Sequence, residues 1–191
     1  IKPSGIRKFF DMLSEMEDVV SLTVGQPDFT TPWHIRESAI ESLEKGKTYY
    51  TSNSGTVDLR NEISSYLNRR FNLQYDPKSE VIVTVGGSEA IDIAMRALLE
   101  PGDEVILPSP SFVCYEPIAT MLGAKVIKIN TKAENKFKLT AQEVKNAISP
   151  KTKLLVLPFP NNPTGAILTR EELEEIAEVL RGTNIAILSD E

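Results

Sequence analysis

From residue 80 onward the chain repeats one pattern: a short unbroken apolar run, a turn, then a stretch with apolar residues at helical spacing. Residues 81–85, 104–107, 125–129, 154–157 and 185–188 are the five runs, each expected as a strand. Helices are expected over 88–100, 112–122, from Thr140 onward, and from Thr169 to about Leu180. Thr140 with Glu143 and Thr169 with Glu172 have the spacing of a capping box, which closes a helix N-terminus on itself. Strands that alternate with helices imply an α/β fold. Strands that are apolar throughout, rather than at every second residue, imply a sheet covered on both faces and therefore parallel. The expected architecture is three layers: a mostly parallel sheet with helices on both sides.

The first 80 residues lack that alternation. A helix is expected over 6–16, a strand over 19–24, and a loop at Gly25-Gln26-Pro27-Asp28-Phe29. Thr31-Pro32 supplies an N-cap and a proline for a helix running to about Lys45, with Gly46 as its stop. Residues 47–55 are polar and turn-rich, and another helix is expected over 56–71. Residues 1–45 are expected to form a smaller unit, and 46–191 the first part of a larger one. The chain opens at Ile1 and stops at Glu191 directly after a strand-like run, so it is expected to be an excerpt of a longer polypeptide.

Composition narrows the function. Of 191 residues 41% are apolar and 25% charged, and glycine and proline together make 22, so a disordered or collagen-like chain is excluded. The net charge of −6 argues against a nucleic-acid partner. One cysteine cannot form an internal disulfide, and one cysteine with one histidine cannot build a zinc site of the usual kind, so no metal is expected. No apolar run approaches the length of a membrane span, and the cytoplasm is the expected location.

In open α/β sheets, ligands bind beyond the carboxyl ends of the strands. After the first run come Gly86-Gly87-Ser88 ahead of a helix, a place where backbone N–H groups suit a phosphate. Ser88 could equally be a plain N-cap. After the second comes Pro108-Ser109-Pro110-Ser111-Phe112, which carries an aromatic ring; Phe112 could also be core. After the fourth comes a rigid loop with two amides, Pro158 to Gly165, and after the fifth comes Asp190. A phosphate, a flat ring, a polar ring substituent and a cationic nitrogen would satisfy all four. Pyridoxal 5'-phosphate has those features.

The chain resembles the fold-type I, class I/II aminotransferases that use pyridoxal phosphate, in the bacterial aspartate/aromatic branch. Five motifs carry the resemblance, in the family's order and spacing: Gly25 to Phe29, Tyr50 with Gly55, Gly86 to Ala90, Asn161-Asn162-Pro163-Thr164-Gly165, and Ser189-Asp190-Glu191. The resemblance implies the large-domain fold of that family with an N-terminal part of its small domain. It implies that Gly87 and Ser88 hold the phosphate, with Glu89 contributing at most its backbone N–H. Phe112 would stack on the pyridine ring. Asn162 would bond the ring's phenolic oxygen near the substrate carboxylate, and Asp190 would pair with the pyridine nitrogen. Tyr50 would reach the phosphate of a neighbouring subunit, implying a homodimer, and Gly25 would lie against substrate. It also implies that the Ser109–Pro110 and Asn162–Pro163 bonds are cis.

The implied reaction moves an amino group from an amino acid to a 2-oxo acid. An N-acetyl-LL-diaminopimelate aminotransferase of lysine biosynthesis matches residues 6–10 and the Gly25 to Phe29 loop equally well. An effector-binding domain of a transcription regulator on the same fold is a third reading, although residues 1–30 show no helix-turn-helix or basic patch. The family's Schiff-base lysine and its carboxylate-binding arginine would lie beyond Asp190, so these 191 residues alone are expected to be inactive. His34 is expected at the surface, and Cys114 as an inert core thiol.

Overall fold

The computed structural model describes residues 27–191 without a break, and residues 5, 12, 16–18, 20 and 25 before them. The helix expected over 6–16 and the strand expected over 19–24 rest on residues outside those described. The chain divides into two compact units, Lys2–Val83 and Thr84–Glu191.

In the first unit, helix α1 spans Trp33–Glu44 and helix α2 spans Val57–Phe71. The N-cap of α1 is Pro32, one residue later than expected. Its ψ of 143° is extended, while its carbonyl already accepts from the N–H groups of Ile35 and Arg36. Helix α2 ends where Asn72 turns left-handed at φ 54°, a conformation asparagine tolerates better than most residues. Arg60 is buried on α2, and its Nη1 donates to the carbonyls of Pro77 and Lys78 at 2.9 and 3.3 Å, which pins the loop after the helix.

The second unit holds helix α3 (Gly87–Leu98), strand β1 (Glu104–Ser109), helix α4 (Tyr115–Met121) and strand β2 (Lys125–Asn130). They are followed by helix α5 (Ala141–Ala147), strand β3 (Thr152–Leu157), helix α6 (Arg170–Leu180) and strand β4 (Ala186–Ser189). The strands form one parallel sheet in the order β2-β1-β3-β4. Both expected capping boxes are present, at Thr140/Glu143 and Thr169/Glu172.

Successive side chains of a strand point to opposite faces, and the core divides accordingly. Val105 and Leu107 of β1 and Leu154 and Val156 of β3 pack with Ile91 and Met95 of α3 and Tyr115 and Ile118 of α4. Ile106 of β1 and Leu155 and Leu157 of β3 pack on the other face with Val144 of α5 and Ile176 and Leu180 of α6. Ile106, Leu154 and Leu155 are fully buried, so truncating any one to alanine should cost about 2–5 kcal/mol.

Three expectations need correction. Residues 81–85 do not form a strand, so the sheet has four strands among the described residues, not five. An apolar run becomes a strand only beside a partner. Here the Val83 N–H donates to the Ser54 carbonyl, and Ile82 and Val85 are exposed. Helix α3 begins at Gly87 with Gly86 as its N-cap, so Ser88 lies inside the first turn and does not cap it. It stops at Leu98, because Glu100 precedes Pro101 and is steered away from helical backbone. Helix α4 starts at Tyr115 and leaves Phe112 in the preceding stretch; Pro117 falls in its first turn, where no backbone donor is missed.

Candidate active site

The strand order fixes where a ligand can sit. From β1 the chain moves one way through α4 to β2, then crosses back through α5 to β3 on the other side of β1. Parallel crossovers are right-handed, so the reversal puts α4 and α5 on opposite faces and opens a crevice at the strand tips between β1 and β3. A cavity of about 330 Å³ lies there, within the range of small-molecule sites. Gly87, Ser88, Phe112, Asn162 and Asp190 line it, together with Tyr115. Five of the residues named from the sequence therefore meet in one place.

Each arrives by a local device. Gly86 turns the chain at φ 80°, which glycine adopts without strain, and so aims the start of α3 at the cavity. A Cβ added at Gly87 would meet no atom within 4 Å, so the space beside that backbone is open. The Glu89 carboxylate reaches back to accept from the Val85 N–H, leaving the N–H groups of the first turn free. Phe112 is half-buried and meets the Tyr115 ring edge-to-face, with centroids 6.0 Å apart at 83°.

Asn162 is exposed on a loop tied together by its buried neighbour. Asn161 Oδ1 accepts from the Thr164 hydroxyl at 2.8 Å and the Thr164 N–H at 3.2 Å. The Asn161 N–H donates to Ala166 O, and its carbonyl accepts from Gly165, both at 2.8 Å. The Ser109–Pro110 and Asn162–Pro163 bonds are cis, as the resemblance implied, and Phe159–Pro160 is cis as well. Asp190 follows β4, and its N–H donates to Leu157 O at 3.2 Å, one step beyond the β3–β4 ladder.

Sequence reasoning missed two residues. Asn161 was one of two adjacent amides with nothing to separate their tasks. Tyr115 is 2% exposed, and its hydroxyl donates to Asp190 Oδ2. Burial, and then the bond to that carboxylate, push the phenol's pKa well above its ordinary value, so it stays a donor. Burial and the Asp190 charge likewise push the Cys114 thiol up to about 11. Gly25 and Tyr50 belong to the other compact unit; both are exposed, and no protein atom lies within 4 Å of a Cβ built on Gly25. Among the described residues no helix is long and apolar enough to cross a membrane.

Comparisons with known proteins identify the family. The family model "Aminotransferase class I and II" matches residues 17–191. A putative aminotransferase of Bacillus subtilis is 50% identical over the whole chain, which covers 50% of that protein. A probable N-acetyl-LL-diaminopimelate aminotransferase of the same organism is 47% identical over the whole chain, which covers 48% of it. The solved aspartate aminotransferase of Thermus thermophilus, with maleate, superposes with a TM-score of 0.91 at 37% identity over 99% of this chain and 50% of that one. The chain thus spans about half the length of the curated relatives it matches. Aminotransferases of this class depend on pyridoxal phosphate. The donor set fits that group: N–H groups and a hydroxyl for a phosphate, a ring for a ring, an amide with no hydrogen-bond partner among the described residues for an oxygen, and a carboxylate for a cationic nitrogen. The chain belongs to the class I and II aminotransferases.

Proposed function

We propose that this chain contributes the cofactor cavity of an enzyme that moves an amino group from an amino acid to a 2-oxo acid, of the aspartate/aromatic type. The observation that carries the reading is the convergence of Ser88, Phe112, Asn162 and Asp190 on one cavity at the strand tips. Gly87 and Ser88 hold the phosphate through first-turn N–H groups and the Ser88 hydroxyl. Phe112 lies against the ring plane. The Asn162 amide donates to the phenolic oxygen, and the Asp190 carboxylate keeps a proton on the ring nitrogen, since an opposite charge favours the charged form. Bound pyridoxal phosphate supplies an electron sink for the carbon that loses its proton.

In this reading residues 1–45 join a small domain near the substrate, where Gly25 lies. Tyr50 serves a second copy of the chain in a homodimer, located in the cytoplasm. The lysine that binds the cofactor covalently belongs to the remainder of the subunit. A second reading, N-acetyl-LL-diaminopimelate as the amino donor, draws support from the 47% identical relative. The test is an absorbance titration of the full-length protein with aspartate, aromatic amino acids and N-acetyl-LL-diaminopimelate. A true donor converts the bound aldehyde form of the cofactor to the amine form. Conversion by none of them overturns the proposal.

A further inference from the structure

We propose that Tyr115 is a positioning residue: its hydroxyl occupies one oxygen of the Asp190 carboxylate and so dedicates the other to the cationic nitrogen of the ring. This rests on the reading that the cavity takes pyridoxal phosphate. Asp190 Oδ2 accepts the Tyr115 hydroxyl, while Oδ1 has no hydrogen-bond partner among the described residues. Tyr115 is itself immobile. It is 2% exposed, and packs in the core with Met95, Val105, Leu107 and Ile118, with Phe112 against its edge. The packed ring therefore holds the hydroxyl where Asp190 Oδ2 accepts it.

The second effect is on the proton. With Oδ2 held by the hydroxyl, Oδ1 is directed at the ring nitrogen, and the opposite charge beside that nitrogen favours its protonated form. Without the hydroxyl, the carboxylate is free to rotate away, and the ring nitrogen loses the partner that favours its protonation. Phe112 adds a constraint on the same pair: its edge-to-face contact, with centroids 6.0 Å apart, bears on the plane of the phenol.

The experiment uses full-length protein loaded with pyridoxal phosphate labelled with 15N in the ring, comparing wild type with Tyr115→Phe. The variant keeps the ring and its packing and removes only the donor. Its 15N resonance should move from the pyridinium position toward that of neutral pyridine, and cofactor affinity should fall on the order of tenfold. Replacing Tyr115 by 4-aminophenylalanine, which returns an N–H donor to the same place, should bring the resonance back toward the wild-type position. If Tyr115→Phe does not fold, 4-fluorophenylalanine at the same position fills the hydroxyl's space without a donor and carries the same comparison. A packing role alone would leave the resonance where it is in wild type, and that result overturns the proposal whatever happens to affinity. Failure of wild type to bind pyridoxal phosphate at all would instead overturn the reading of the cavity.

Discussion

Replacing Asn161 with alanine should loosen the loop that presents Asn162 without disturbing the sheet beneath it. The side chain accepts two hydrogen bonds from Thr164, one from its hydroxyl and one from its N–H. The Thr164 hydroxyl in turn accepts from the Ala166 N–H at 3.2 Å, so one amide oxygen orders three residues. A neutral hydrogen bond contributes about 0.5–1.5 kcal/mol, so losing two should cost about 1–3 kcal/mol locally. The two backbone bonds of Asn161 do not depend on its side chain and should persist. Amide hydrogen exchange of the full-length protein, read by mass spectrometry on peptides covering 158–168, measures the opening directly. Protection at Thr164 and Ala166 should fall about 5- to 150-fold, while β3 keeps its wild-type protection. Asn161→Asp retains an acceptor at the same place and should keep most of the protection. Unchanged exchange in Asn161→Ala would refute the claim that this side chain holds the loop.

Four further outcomes are expected. Asp190→Asn in the complete enzyme should nearly abolish turnover and leave folding intact, as judged by circular dichroism; wild-type turnover would remove Asp190 from the chemistry. Gly55→Ala should destabilise the protein by about 1 kcal/mol or more in urea unfolding, because φ is 91° and the new Cβ would lie 2.6 Å from Val83 Cβ; an unchanged midpoint would contradict that geometry. The Glu104 carboxyl is held below its ordinary value by the Ser149 hydroxyl and then by Lys125. Its depressed folded value means its stabilisation is complete above the ordinary value of 4.5 and is lost as pH falls through the lower folded one. Glu104→Gln should therefore flatten that part of the acid unfolding curve, and an identical acid limb would refute the assignment. Alkylation of Cys114 by iodoacetamide should keep accelerating past pH 9 toward its raised value of about 11, whereas a plateau by pH 9 would refute it.

What the sequence made legible was local. The two capping boxes need only residues three apart, and both formed as read. The placement of Phe112, Asn162 and Asp190 followed from a topological rule that needs only strand ends, whereas Ser88 reaches the same cavity after a run that forms no strand. What it hid was relational. The run 81–85 has strand composition, yet pairing is a property of two backbones, and no neighbouring strand exists for it among the described residues. Tyr115 lies 75 residues from the carboxylate it serves, so no spacing could announce the bond. Asn161 and Asn162 are the same residue type side by side, and only the folded loop turns one inward to brace it and the other outward.

The cavity's parts are each fastened before any ligand arrives: Asp190 by a step added to the sheet ladder, Asn162 by a self-tied loop, Ser88 by the opening turn of a helix. Binding there has little loop motion left to quench, so most of the interaction energy goes into affinity and orientation and little into ordering the receptor. In the proposed enzyme, such preorganisation would let the same walls hold the cofactor while substrates come and go.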